Sequence, residues 1–188
     1  MNIDLKRKKE KRNTFFRWLI YYLIMLIEYI FMTTVNLSSP LPLLLLSTSI
    51  CISVFEDPFD SAMTGCVAGL LLDAAEGTLV GMNGIILMWC CLMSSLLFYF
   101  ILRKHILNVL GISAAAVIIQ TGFRYLFYYA IWEYDGTGKI FVKEFIPIII
   151  LTIVTTVFIF PIIRLLSRRL GKIKENYIEE KSDDIVRE

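Results

Sequence analysis

Apolar residues in this chain gather into six blocks, separated by short polar or charged stretches. The blocks are Phe15 to Val35, Leu41 to Phe55, about Ala62 to Leu72, Gly84 to Leu102, Ile106 to Trp132 and Phe145 to Leu166. A membrane-crossing helix needs about 20 largely apolar residues, so the first and the last three blocks are long enough to cross. The second begins at Pro40 and Pro42, which suit a first helical turn, and ends at the acidic EDPFD, Glu56 to Asp60. Its fifteen residues would rise only about 22 Å against a hydrocarbon core near 30 Å. The second and third blocks therefore form either two short crossings or one re-entrant hairpin. A hairpin would hold Glu56, Asp57 and Asp60 near mid-membrane with no basic residue close in sequence, which makes two crossings the cheaper arrangement.

Charge placement orients the blocks. Lys6 to Arg12 precede the first, Arg103, Lys104 and His105 follow the fourth, and Arg164, Arg168, Arg169, Lys172 and Lys174 follow the last. Basic flanks mark cytoplasmic ends, and six crossings put all three on one side. Four crossings plus a hairpin satisfy the same parity. The first block is too long for a signal-peptide core of about 7–15 residues, contains Glu28 and lacks a small-residue cleavage site, so it reads as a retained span. The expected organisation is a basic cytoplasmic tail at 1–14, a transmembrane domain at 15–166 and a charged, partly disordered cytoplasmic tail at 167–188. Both basic ends are expected to lie against anionic head groups of the membrane lipid, each residue adding about 1 kcal/mol near the surface.

Composition adds the class. The 188 residues are 57% hydrophobic with a mean hydropathy of +0.67, far above a soluble domain's roughly 45–50% apolar content, so the chain is an all-α, polytopic membrane helix bundle. Its net charge of +2 is uninformative beside where the charges sit. Cys51, Cys66, Cys90 and Cys91 all lie in apolar blocks without metal or disulfide spacing and read as packing residues. His105 is the single histidine and lies in a basic loop, which leaves a histidine-dependent catalyst or zinc site nothing to be built from. No catalytic or metal-ligating residue, no cofactor and no nucleic-acid partner is expected.

The chain is organised around Gly69 to Gly84, where an apolar helix reaches Asp73, breaks at glycines and gives way to the clearest span. Gly77, Gly81 and Gly84 can take backbone shapes closed to other residues or let two backbones meet closely, and Asn83 can cap the next helix. Asp73 reads either as a helix-end carboxylate in interfacial water or as a buried, partnered one. Glu28 and Arg124 fall at a similar depth, which suggests that Arg124 pairs with Asp73 or Glu28. The alternative is that Arg124 reaches out to the interface and Glu28 is protonated.

The sequence Gly69, Leu70, Leu71, Asp73, then Leu79, Gly81 and Gly84, resembles a motif of the MreD family of the bacterial rod-shape system. Chain length and helix pattern suit that family too, although Gly84 stands where Ala is commoner. The resemblance implies a non-catalytic subunit of the cell-wall elongation complex that scaffolds peptidoglycan synthesis by binding MreC. The MreB filament, RodA and the elongation-specific penicillin-binding protein would belong to the same assembly. It also implies a layout similar to the substrate-binding subunits of energy-coupling-factor vitamin transporters, and so a second function, a small-molecule transporter subunit. Those subunits dock through an A-x-x-x-A face on the first helix, whereas Trp18 to Met32 contains neither Ala nor Gly, which favours assembly over transport. An intramembrane hydrolase would need a nucleophile with a base, or a metal, which the scattered acids and single histidine do not supply.

Overall fold

The computed structural model describes residues 2–34, 43–77, 79–102, 104–127 and 146–187, with side chains between Thr14 and Arg169. Among these residues every regular element is helical: α1 (Asn2–Thr34), α2 (Leu44–Ser53), α3 (Pro58–Glu76), α4 (Met82–Phe100), α5 (Ile106–Tyr125) and α6 (Ile146–Arg187). Four segments are long and apolar enough to cross a membrane: Thr14–Thr34, Met82–Phe100, Ile106–Tyr125 and Ile146–Arg169. The protein is a multi-pass helical membrane bundle.

Helix ends follow local chemistry. Pro58 opens α3 at a position whose amide has no intrahelical acceptor, and Gly77, at φ 65°, closes it in the left-handed region. Gly81, at φ 98°, then starts α4. The C-terminal tail differs from expectation. The basic N-terminal segment is helical from Asn2, and the segment beyond Leu166, expected to be partly disordered, is helical as far as Arg187. After Gly171 that segment contains neither Gly nor Pro and is rich in Glu, Lys and Ile, so propensity alone favours continuation. The expected end of the fifth span at Trp132, and the loops at 36–39 and 133–139, lie outside the described residues.

The shortest helix occupies the centre. At ten residues α2 rises about 15 Å, yet it touches all five other helices, and every residue from Leu45 to Ser53 is buried. Neither its apolar residues nor its four hydroxyl residues, Ser47, Thr48, Ser49 and Ser53, are left on an outer face. By contrast, only 17% of the α1 span is buried, and Phe15, Leu19, Leu23, Leu26, Ile27 and Ile30 are exposed, as a face toward acyl chains would be.

The tightest packing is between α3 and α4, which run antiparallel across the short Gly77–Gly81 turn. A Cβ added at Gly69 would overlap the Cα of Gly84 and lie 2.5 Å from the Asn83 carbonyl oxygen. One at Gly65 would lie 2.5 Å from the Leu87 carbonyl oxygen. Gly65 and Gly69 form a G-x-x-x-G stripe, the spacing that lets two helix backbones meet in a membrane. At Gly84, a Cβ would find Leu70 at 3.5 Å, an ordinary contact, so the steric demand falls on Gly69 rather than on Gly84.

Candidate functional site

Polar groups occur at three levels of the bundle. At the Gly77–Gly81 turn, Asp73 is only 1% exposed. Its carboxylate accepts the Gly81 amide at 2.7 Å on one oxygen and the Asn83 amide at 3.2 Å on the other. These are amides of the first turn of α4, which have no intrahelical acceptor. A side chain eight and ten residues upstream thus does what an N-cap residue does, and places a negative charge at the positive end of the α4 dipole. Asn83 does not cap by its side chain. That side chain is buried against α5, where its Oδ1 accepts Gln120 Nε2 at 3.2 Å.

The expected charge cluster is rearranged. Arg124 Nη1 meets Glu76 Oε1 at 2.7 Å, with the two side chains 31% and 14% exposed. Glu76 lies three residues past Asp73 and shares its helix face, but it reaches further toward the α5 terminus, while the Asp73 carboxylate is already turned into the α4 amides. Glu28 is a separate site. Its Oε1 accepts the Thr48 hydroxyl, and its Oε2 is buried with no partner. Glu28 and Arg124 therefore do not form the pair that their similar depth suggested.

The middle level is a seam of hydroxyls between α2, α5 and α6. Thr156 Oγ1 donates to Ser47 Oγ at 3.2 Å and lies 2.9 Å from Ser113 Oγ, and Ser47 also donates to the Thr152 carbonyl at 3.2 Å. The Leu43 amide, at the entry to α2, donates to Thr152 Oγ1 at 3.1 Å. Such bonds let a helix with four buried hydroxyl residues, Ser47, Thr48, Ser49 and Ser53, sit in an apolar core.

The third level is the turn between α2 and α3. Arg17 Nη2 meets Glu56 Oε2 at 2.8 Å with both side chains largely buried, Tyr21 donates to Glu56 Oε1 at 3.3 Å, and Ser95 donates to the Glu56 carbonyl at 2.8 Å. Lys104 stands 5.4 Å over the Phe55 ring, which stacks on Phe160, and Arg164 lies 5.9 Å from Phe160. Sequence reasoning missed Arg17, because the cation that serves Glu56 is 39 positions away. It also missed the Gly65 and Gly69 stripe, which G-x-x-x-G spacing in an apolar helix could have revealed.

Of the motif residues, Gly69 is at the helix crossing, Asp73 caps α4 and Gly81 supplies the left-handed turn, whereas Leu70 and Leu79 are exposed and Leu71 is half-buried. Among the described residues, no three His, Cys, Asp or Glu side chains group as a metal site, and all four cysteines are free thiols. No curated protein and no solved structure matches the chain. The family model of the rod shape-determining protein MreD matches residues 9–170, nearly the whole of what has just been described, and the chain belongs to that family.

Proposed function

We propose that this MreD-family protein is a non-catalytic membrane subunit of the cell-wall elongation complex, holding MreC through its helices and so scaffolding peptidoglycan synthesis. Membership in the family already ties it to rod shape determination, and the match over residues 9–170 is the observation that carries the proposal. The packing supports it. A buried central helix, a glycine-sealed α3/α4 pair and polar residues engaged mainly with one another suit a rigid body that presents apolar faces to other helices. MreB, RodA and the elongation-specific penicillin-binding protein would then be reached as members of the same assembly.

In this reading the chain crosses six times, α2 and α3 are the two short crossings, both termini are cytoplasmic and the Asp73 turn faces outward. Single-cysteine labelling of intact cells tests the arrangement. Positions 36–39, 76–80 and 135–138 should label from outside, and Asp57 to Asp60 and Lys104 only after permeabilisation. Labelling at Asp57 from outside would sink the six-crossing arrangement. The binding claim is tested by recovery of MreC from solubilised membranes with the tagged protein. A chain that is abundant and correctly inserted yet recovers no MreC would overturn it. Loss of small-molecule uptake upon deletion, with MreC recovery absent, would favour the transporter-subunit reading instead.

A further inference from the structure

We propose that a small cavity between α2, α5 and α6, at the Asp73 end of the bundle, is a binding site for a single neutral hydroxyl group held by Thr121 and Gln120. The inference is independent of the partner assigned above. The cavity measures about 10 Å³ and is lined by Leu43, Gln120, Thr121, Arg124 and Ile148. That volume admits one water-sized group.

Two of its lining residues carry a buried polar atom without a partner: Gln120, 1% exposed, through Oε1, and Thr121, 3% exposed, through Oγ1. Gln120 has committed its amide nitrogen to Asn83 Oδ1, which leaves the carbonyl oxygen for something else. Thr121 is the more telling. Thr64, Ser94 and Thr152 each satisfy their hydroxyl by donating to the carbonyl four residues earlier. The same escape is open to any helical Thr, and Thr121 does not take it. Buried groups of this kind are nearly always paired, so the two atoms call for an occupant.

Its chemistry follows from theirs. Gln120 Oε1 only accepts, and Thr121 Oγ1 can donate or accept, so the complement is one group with an O–H donor and an oxygen lone pair. Arg124 also lines the cavity, but its charge is already matched by Glu76 at 2.7 Å, so an anion gains little there. Leu43 and Ile148 make the remaining wall apolar, and the volume has room for the hydroxyl alone, so any hydrocarbon it carries would lie outside the cavity. Two sources carry this chemistry: a water molecule, or the hydroxyl of a neutral amphiphile such as a monoacylglycerol.

The test is thermal unfolding of the purified full chain in detergent micelles, for the wild type and Thr121→Val, with and without monoolein or its diacetylated derivative, which has no hydroxyl. Val has nearly the size and helix preference of Thr. If the hydroxyl is bonded to an occupant, Thr121→Val should melt about 2–4 °C lower. Monoolein raising the wild-type midpoint, without a rise in the variant or with the diacetyl derivative, would assign the site to an amphiphile. A lower midpoint in the variant with no response to monoolein would assign it to water. A variant that melts at or above the wild-type midpoint would overturn the proposal, since removing an unmet hydroxyl is then neutral or favourable.

Discussion

The carboxylate of Asp73 receives two backbone amides from the first turn of α4, whereas that of Glu28 receives one hydroxyl from Thr48 and keeps its second oxygen buried without a partner. Both acids lie on apolar helices. The difference is in what holds them. Amides belong to the chain itself and cannot rotate away, so Asp73 fixes where α4 begins relative to α3. A threonine hydroxyl can turn, and Glu28 joins α1 to α2 without determining the course of either backbone. A carboxylate in a membrane protein is thus no single kind of object: one acid is a structural cap, and the other is a local contact.

The contrast is broken most severely at Gly69, because the Asp73 cap exists only where α3 and α4 touch. Gly69→Val should cost more than about 3 kcal/mol and remove most folded protein from the membrane, since the added Cβ meets backbone rather than a movable side chain. Abundance after mild solubilisation measures this, and wild-type levels would mean that the two helices can separate without loss.

Asp73→Leu should come next, at about 2–3 kcal/mol, because it leaves two amides of α4 unmet and removes a charge-assisted pair of bonds. Asp73→Asn, which keeps one acceptor oxygen, should recover part of the loss. Midpoints of thermal unfolding would reveal the ordering.

Glu28→Gln should cost under about 1 kcal/mol, since the amide oxygen still accepts from Thr48. Should it prove as damaging as Asp73→Leu, the distinction between cap and contact fails. The smallest effect is expected for the pair Arg124 and Glu76, partly buried at the α5 end. A double-mutant cycle with Arg124→Gln and Glu76→Gln should return a coupling of about 0.5–1 kcal/mol. The same cycle between Arg124 and Glu28 should return close to nothing.

What could be read from the sequence divides along the same line. The glycines at 77 and 81 announced a turn because their backbone shape is a local property, and Asp73 stood out because a carboxylate ending an apolar run has to be accounted for. The four long spans were visible as composition, and α4 was displaced by only two residues at each end, from Gly84–Leu102 to Met82–Phe100. Partners were not visible. Depth along a helix suggested that Arg124 should meet Asp73 or Glu28, but depth does not say which way a helix faces, and the carboxylate that Arg124 meets is Glu76. Arg17 and Glu56 are joined across 39 positions that no local pattern connects. The centrality of α2 was hidden for a similar reason: a short apolar run looks the same whether it is surrounded by lipid or by five other helices.

That central position constrains how the protein is made. The bonds that satisfy α2, from Leu43 and Ser47 to Thr152 and Thr156, join residues 105 to 109 positions apart. At about 5–20 residues per second of synthesis, α2 waits roughly 5–20 s after emerging before its acceptors in α6 exist. Through that interval a ten-residue helix with four hydroxyl residues is too short to rest in lipid alone and too polar to favour it. The insertion machinery, or the neighbouring α1 and α3, must shelter it until the last helix arrives. A chain stalled before residue 146 would therefore leave α2 exposed as a mark of incompleteness, and the final helix acts as the latch that closes the bundle.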